Sequence, residues 1–498
     1  TTIFNLLAIG ERVVPGIFQC LLTEKSPVDI DQLLQPECRF IVVRTSPICL
    51  IIVVRKAEFC YFTEVLLSLR HKYKTLMEAS VLLEILRDQR EELDTLRSQR
   101  FCKRKEEDMV KLESKKAQVV IGVRRSGKST LCFNVLDKAQ VKFAYVNFDD
   151  ERLVRLSAED LNDVLKCLYQ IYGDFTHLFL DEAQNIEGWH LFVNRLLRHG
   201  MKVFITGSNA KLLSSELSTY LTGRYNEIEL YPFSFREFCE MEKVETTNLS
   251  TKTDALLRRA FDKYMETGGF PEIISGEETA EEYIDTLVSN ILERDIVQRF
   301  KVRYKDAFKS LSNHLMNNAP CEIVYTALQK TFNFKNDKTV ENYVGYLYQA
   351  YLLKQLRKYS TKSSERIRNA KCYPIDVSLM NARKDAFAKD NFGWRLESLV
   401  YLELCRKYGT GYDVYYHKTD SYEVDFVVCH RATVVELVQV SYDISSEKTL
   451  NRETSALVKA GTSLKCDKLT LVTAFEEREL EVQGQVIDVC AAYKWLLI

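Results

Sequence analysis

The chain has no long uninterrupted apolar run and no paired cysteine motif. Its most apolar stretch, Phe40 to Val54, contains Arg44, Ser46 and Pro47 and is shorter than the roughly 18 residues that a membrane-spanning helix needs. The 14 cysteines show neither a C-x-x-C spacing nor a cluster with histidine, which argues against the usual zinc motifs and against a disulfide framework. We therefore expect a protein of a reducing compartment, the cytoplasm, with no membrane partner.

An excess of charge of one sign is also missing. The 69 lysines and arginines balance 70 acidic residues, for a net charge of -1. Any affinity for nucleic acid must therefore come from a local basic patch and not from the overall charge. A chain of 498 residues is long enough to form several domains, each with its own hydrophobic core.

Methionine is absent from the first 76 residues, which carry four of the cysteines in apolar patches such as ICLIIVV. Two alternatives are open for this segment. Either Met77 is the natural start, or residues 1–76 form an N-terminal domain of short strands and helices, and no function is assigned to them. Residues 77–114 have a charged helical pattern with a narrow leucine stripe that includes Leu86 and Leu93, which predicts lead-in helices packed on the next domain.

The most informative stretch runs from Gln118 to Thr130, with the sequence QVVIGVRRSGKST. A short β-run is followed by the pattern G-x-x-x-x-G-K-[ST], which is typical of a phosphate-binding loop. The glycines let backbone N–H groups point at phosphate oxygens, the lysine reaches the β- and γ-phosphates, and the serine hydroxyl binds Mg²⁺. The predicted nucleotide-binding residues are Gly122, Val123, Arg124, Arg125, Ser126, Gly127, Lys128, Ser129 and Thr130.

Two further β-runs follow, Phe143 to Phe148 and His177 to Leu180. The second ends in Asp181 and Glu182, as in a Walker B element. There the first carboxylate holds Mg²⁺ and the second orients or deprotonates the attacking water. We therefore predict Asp181, with Ser129, as the metal-binding pair and Glu182 as the catalytic base.

Two polar residues are expected to complete this site. Ser208 follows a fourth β-run, Val203 to Thr206, and is placed to sense the γ-phosphate; a helix cap is the alternative role. Arg224 precedes a fifth run, Glu227 to Leu230, and is expected to neutralise charge on the transferred phosphoryl group, in its own chain or across a subunit boundary. A surface ion pair is the alternative for Arg224.

The segments GVRRSGKST, FLDEAQNIEGW, FITGSN, LTGRYNEIELYPFSFREF and ETGGFPE together resemble a bacterial and archaeal group of AAA-superfamily P-loop ATPases. Members of this group carry a C-terminal domain that looks like a restriction endonuclease. The resemblance covers about Met77 to Ile498. It implies the ATPase roles of Lys128, Ser129, Asp181 and Glu182, with Ser208 and Arg224 as sensors.

Past the ATPase motifs the chain becomes helical and then basic. The helices are broken at Gly268 and Gly269, either as the hinge of a lid over the nucleotide or as a plain turn. Between Phe300 and Cys372, 14 basic residues outnumber 5 acids, in an order of three helices and a β-hairpin that predicts a winged helix-turn-helix. DNA binding is the prediction, and docking of a protein partner the alternative; the candidate DNA-binding residues are Lys335, Lys338, Asn342, Arg357 and Lys358.

The last section has the predicted order αβββαβ and looks like a PD-(D/E)XK nuclease core. Such a site needs carboxylates for Mg²⁺ and a lysine. Here Glu397, Asp425 and Gln439 occupy candidate positions, but the lysine position holds Ser441. We therefore expect a degenerate nuclease-like domain used for binding or scaffolding.

The predicted fold class is α/β: a P-loop NTPase of the AAA (ASCE) type with a parallel sheet, a helical lid, a winged-helix segment and a nuclease-like domain. The predicted function is an ATPase that uses ATP and Mg²⁺ and couples nucleotide state to DNA. The alternatives are an ATP-gated switch that recruits a protein partner without turnover and, less favoured, an active DNA nuclease regulated by ATP. The expected partners are DNA and either a second copy of the chain, in a homo-oligomer, or a protein partner. The predicted segments are 1–76, 77–114, 115–240, 241–302, 303–375 and 376–498.

Overall fold

The computed structural model places the chain in two compact units, residues 1–85 and 86–498. In the first, strands β1 (Phe18–Cys20), β2 (Cys38–Thr45) and β3 (Ile48–Arg55) form an antiparallel sheet in the order β1-β3-β2. The structure describes these strands and residues 80–498, apart from 98–100, 209–220, 222, 248–249, 277–278, 361, 363–364, 366–369, 382, 384–385, 387–390, 410 and 498. No helix within these described ranges is both long and apolar enough to cross a membrane.

A helix over residues 80–96 leads into the second unit. Leu86 and Leu93 of the predicted leucine stripe are buried. Leu93 packs in one hydrophobic cluster with Val120 and Leu131, so this part of the predicted lead-in helix lies against the α/β body.

The α/β body is built on a five-stranded parallel sheet. Its strands follow the order β5-β6-β7-β4-β8, so that β7 separates the phosphate-loop strand from the Walker B strand. The predicted β-runs are confirmed within one or two residues as β4 (Ala117–Ile121), β5 (Phe143–Asn147), β6 (His177–Asp181), β7 (Lys202–Gly207) and β8 (Tyr225–Glu229). Connecting helices are Lys128–Lys138, Leu161–Tyr172 and Trp189–Arg198.

The segment predicted as a lid contains helices of two kinds. The helix Thr251–Thr267 buries Phe261 and Tyr264 in a core shared with Tyr373 and Phe426 of the C-terminal region. This helix therefore packs on the C-terminal region, residues 303–498, which we call the tail. The later part reaches the phosphate loop. Its helices are Pro271–Ser275, Ala280–Asn290 and the π-helix Ile291–Gln298, while the short helix Phe235–Met241 precedes Thr251–Thr267 and packs in the same core.

Gly268 and Gly269, where the helices are broken, pack closely against both the α/β body and the tail. A Cβ on Gly268 would lie 1.8 Å from the Asp376 carboxylate, and one on Gly269 would lie 2.2 Å from the carbonyl oxygen of Phe233. The Gly269 N–H donates to the buried Asp376 carboxylate at 2.9 Å. These contacts need residues without a side chain.

The remainder forms a nine-stranded mixed sheet in the order β16-β17-β15-β14-β13-β12-β10-β11-β9. Its strands are β9 (Cys321–Glu322), β10 (Leu353–Lys358), β11 (Ala370–Pro374), β12 (Tyr412–Lys418), β13 (Glu423–His430), β14 (Thr433–Val440), β15 (Leu469–Thr473), β16 (Arg478–Val482) and β17 (Gln485–Ala491). The helices are Lys305–Asn318, Tyr325–Thr331, Asp337–Gln349, Ser378–Asn381, Phe392–Lys407, Glu447–Leu464 and Ala492–Trp495.

Both predicted element orders are present, three helices before a hairpin and αβββαβ after it. The hairpin β10–β11 is part of the large sheet, because β10 also pairs in parallel with β12 through Arg357 and Lys358. The regions predicted as 303–375 and 376–498 therefore share one continuous sheet.

Candidate nucleotide site

The phosphate loop lies between β4 and the helix that begins at Lys128. Gly122 must be glycine, because a Cβ there would lie 2.1 Å from the carbonyl oxygen of Leu230. Gly127 has a φ of 92° and precedes the helix at its N-terminal end. The loop therefore curls as the motif predicts and brings the positive end of the helix to the loop.

Four predicted residues meet at the carboxyl edge of the sheet. Ser129 Oγ donates to Asp181 Oδ1 at 2.8 Å. The Lys128 side chain is 4% exposed. Its Nζ donates to the carbonyl oxygen of Val123 at 3.0 Å and lies 3.6 Å from Glu182 Oε1. The lysine thus lies beside a carbonyl and a carboxylate, at the place where the motif predicts phosphate oxygens.

The Glu182 carboxylate is held by several donors. Ser208 donates from both its N–H (3.1 Å) and its Oγ (2.9 Å) to Glu182 Oε2, and Gln184 Nε2 donates to the same oxygen. Glu182 has a φ of 50°, a conformation that costs energy for a residue with a side chain. Ser208 therefore contacts the predicted base directly.

The two Walker B carboxylates differ in acidity. Burial and the adjacent Glu182 charge raise the pKa of Asp181 to about 6, although hydrogen bonds from Thr206 and Ser129 oppose this. Burial also pushes the pKa of Glu182 upward, but the Lys128 ammonium and the hydrogen bond from Gln184 outweigh it and leave that pKa below its usual value. Glu182 is thus the stronger acid of the pair.

Sequence reasoning did not identify three of the groups that surround these acids. Thr206 donates to Asp181 and accepts from the Glu182 N–H at 2.9 Å, and Tyr145 donates to Asp181 Oδ2 at 3.2 Å. Gln184 is the third. The position of Thr206 at the end of the neighbouring strand was the available signal.

The other loop residues contact the helices that follow. Arg124 pairs with Asp149 (2.8 Å) and with Asp295 of the π-helix (3.1 Å), and Arg125 pairs with Glu272 (2.6 Å). Ser126 is fully buried, and its Oγ has no hydrogen-bond partner among the residues that the structure describes.

The residues fit a magnesium nucleotide. A hydroxyl beside a carboxylate offers the oxygen ligands that Mg²⁺ prefers, and the buried Ser126 hydroxyl and the Lys128 ammonium are donors for phosphate. Elsewhere in the described parts of the chain, no group of three or more His, Cys, Asp or Glu side chains is arranged to hold a metal.

Arg224 lies at the opposite edge of the sheet. Its carbonyl oxygen accepts from the N–H of Ala117, the first residue of β4, at 2.9 Å. Because β4 and β8 are parallel and in this register, Arg224 lies beside the first residue of each strand, whereas the loop follows the last residue of β4. The five residues of β4 span about 16 Å, and this length separates Arg224 from the phosphate loop. The role of Arg224 within its own chain is therefore not met, and a role across a subunit boundary stays a prediction.

The predicted DNA-binding residues lie on the surface or near it. In the helix Asp337–Gln349, Val340 and Val344 are fully buried, which leaves the opposite face outward. Lys338 on that face pairs with Glu341 at 2.8 Å. Exposed are Lys335, Lys338, Asn342 and Arg357, and Lys358 is half-buried.

The site that the sequence predicted as nuclease-like contains a lysine that sequence spacing did not identify. Lys371 of β11 lies 2.7 Å from Glu423 Oε1 and 3.6 Å from Glu397 Oε1. Burial opposes the charge of Lys371, but Glu397, Asp425 and Glu423 outweigh it and raise its pKa. Tyr373 Oη also donates to Glu397 at 2.7 Å. An ammonium group thus reaches the acids from another strand, contrary to the expectation that none would.

The other candidates in this cleft are also engaged. Asp425 Oδ2 accepts from the Val440 N–H (2.9 Å), and Gln439 links the Asp425 N–H (3.3 Å) to Glu453 (2.8 Å). Burial and the Glu397 charge raise the pKa of Asp425. The cleft has a volume of about 660 Å³, and its rim is basic, with Lys448, Arg452 and Lys459.

The chain is similar to known proteins over most of its length. A family model described as an AAA domain matches residues 114–239, and one described as a domain of unknown function, DUF8612, matches residues 258–390. An uncharacterised protein of Methanocaldococcus jannaschii is 35% identical over 403 residues, which is 78% of this chain and 90% of that protein. An uncharacterised protein of Haemophilus influenzae is 31% identical over 397 residues, covering 76% and 94%. The similarity thus extends well beyond the AAA domain.

Solved structures align with part of the chain. The Walker-type ATPase of Pyrococcus abyssi aligns with 57% of this chain and 95% of its own length, at 14% identity and a TM-score of 0.37. The RuvB Holliday junction branch migration motor of Thermotoga maritima covers 48% and 82%, at 17% identity and a TM-score of 0.24.

Proposed function

Because the chain belongs to the family of AAA-domain P-loop proteins that includes these two relatives, we propose that it is a Mg²⁺-dependent ATPase whose nucleotide state controls DNA binding by its C-terminal region. One observation carries the ATPase part: Lys128, Ser129, Asp181 and Glu182 converge at one edge of the sheet. These are the cation, the two magnesium ligands and the base that ATP hydrolysis needs.

In the proposed reaction each residue has one task. When ATP binds, the Lys128 ammonium group gives up its contacts with Glu182 and the Val123 carbonyl oxygen and contacts phosphate oxygens instead. Ser129 and Asp181 would hold Mg²⁺, which when bound supplies positive charge at the phosphates. Glu182 orients the attacking water and accepts its proton, and Ser208 fixes the Glu182 carboxylate.

Direct contacts between the body and the tail support coupling. Lys354 of β10 pairs with Glu229, the last residue of β8, at 2.7 Å. Lys354 lies three residues before the exposed Arg357 on the same strand. A shift of β8 on nucleotide binding would therefore act on the basic hairpin.

DNA is proposed as the partner on the basis of charge and exposure. The basic stretch from Phe300 to Cys372 lies in a chain whose overall net charge is -1, and four of the five candidate residues are exposed. Phosphate contacts by such residues make binding salt-dependent.

A second candidate is a nucleotide-gated switch that recruits a protein partner without turnover. The observation in its favour is the engagement of Glu182 by Lys128, Ser208 and Gln184, which leaves the base occupied. For the C-terminal cleft we keep a binding or scaffolding role, since Glu397 and Glu423 are already paired with Lys371.

Phosphate release with and without duplex DNA separates the candidates. The ATPase proposal expects turnover that DNA stimulates and that the R357E/K358E double variant loses only in its DNA-stimulated part. A matched double variant, K115E/K116E, lies in an exposed turn before β4 and should keep the stimulation. Tight ATP binding without turnover would favour the switch. A turnover rate that duplex DNA does not change would contradict the proposal that DNA is the partner.

A further inference from the structure

Arg104 is a buried cation behind the phosphate loop. Its side chain is 5% exposed, and all three nitrogen positions of the guanidinium group donate hydrogen bonds. Nη1 donates to the carbonyl oxygen of Ser126 (3.1 Å), Nη2 to that of Tyr231 (2.7 Å), and Nε to Glu237 Oε1 (2.7 Å). The group also lies 4.8 Å from the centre of the Phe233 ring.

These partners belong to two separate parts of the site. Ser126 is the loop residue directly before Gly127 and Lys128. Tyr231 and Glu237 bound the turn after β8, where Glu237 also caps the next helix by accepting from the N–H (2.8 Å) and Oγ (2.9 Å) of Ser234. Arg104 therefore ties the loop to this turn, which we call the β8 turn, residues 230–237.

The β8 turn is held in addition by the tail. Arg406 Nη2 donates to the carbonyl oxygen of Pro232 at 3.1 Å. The Arg406 guanidinium group lies 5.4 Å, and the Lys354 ammonium 4.8 Å, from the centre of the Tyr231 ring. Arg104, the β8 turn and Arg406 thus connect the Ser126 carbonyl group to the helix Phe392–Lys407.

We propose that Arg104 is a positioning residue that sets the conformation of the phosphate loop and, through the β8 turn, makes it depend on the position of the tail. This inference rests on the proposed ATPase function. A planar guanidinium group can hold three acceptors at fixed angles, whereas an ammonium group on a flexible stem cannot. Arg104→Lys therefore keeps the charge opposite Glu237 and gives up the fixed geometry.

The test measures Mg·ATP affinity by calorimetry for Arg104→Lys, Arg406→Lys and the double variant. We expect Arg104→Lys to weaken binding by about tenfold, the effect of losing a hydrogen bond to a charged group. Because both arginines act through one turn, the loss in the double variant should be clearly smaller than the product of the two single losses. Arg97→Lys, an exposed arginine paired with Asp94 and Asp137, is the control and should bind as the wild type does.

Amide hydrogen exchange without nucleotide gives an independent readout. In Arg104→Lys, faster exchange confined to residues 122–130 and 230–237 supports the inference. Faster exchange throughout the body would show a merely structural role and overturn it, as would affinity within twofold of the wild type. If wild-type protein binds no ATP, the proposed function fails, and the exchange pattern still decides whether Arg104 positions the loop.

Discussion

Replacing Glu182 by glutamine should separate nucleotide binding from hydrolysis. The amide oxygen can still accept from Ser208, so the local geometry is kept, but the group can no longer take a proton from water. Loss of a general base lowers kcat by about 10²–10⁴, which corresponds to about 3–5 kcal/mol in the barrier.

The same variant removes the negative charge that lies beside Lys128. At 3.6 Å and an effective dielectric constant of about 20, the Lys128–Glu182 attraction is about 5 kcal/mol. Phosphate must displace this partner from Lys128 when ATP binds. Glu182→Gln should therefore bind Mg·ATP at least as tightly as the wild type.

The assay combines phosphate release with binding of a fluorescent ATP analogue. Glu187→Gln, an exposed acid in the same loop, is the matched control and should keep its turnover. A Glu182→Gln protein that hydrolyses ATP within threefold of the wild-type rate, or that folds but no longer binds ATP, would refute the assignment of the base.

Three other predictions concern acidity, packing and charge. Because burial and the Glu182 charge raise the pKa of Asp181 to about 6, and only the ionised carboxylate binds Mg²⁺, kcat/KM at limiting Mg²⁺ should fall as the pH drops below about 6; an acid limb near 4 would contradict this. Gly269→Ala should destabilise the protein by about 2–3 kcal/mol in urea unfolding because its Cβ overlaps a backbone carbonyl. Gly393→Ala, in an exposed helical position with none of the described residues close by, should stabilise it by up to about 1 kcal/mol; equal effects of the two substitutions would contradict the role of close packing at Gly269. R357E/K358E should reduce the slope of log affinity for duplex DNA against log salt, and an unchanged slope would place the DNA contact elsewhere.

The parts of the site that the sequence predicted are those coded by contiguous residues. Gly122, Gly127, Lys128 and Ser129 act within one loop, and Asp181 ends a strand whose apolar run is visible in the chain. Because parallel strands end at a common edge, two local motifs were enough to predict their meeting in space.

The parts that sequence reasoning missed depend on register between distant segments. Arg224 directly precedes β8, and only the pairing of β8 with β4 puts it at the far edge from the loop. Lys371 lies beside the acids because β11 joins the C-terminal sheet through β10. Arg104, 22 residues before Ser126, carries no motif of its own.

Titration of Mg·ATP into wild-type protein and into Lys128→Ala by calorimetry shows whether the phosphate loop binds the nucleotide. We expect one site per wild-type chain and an affinity loss of at least about tenfold in the variant, with Lys138→Ala on the same helix unchanged. Equal affinity of the wild type and Lys128→Ala, or no heat of binding in the wild type, would contradict this expectation.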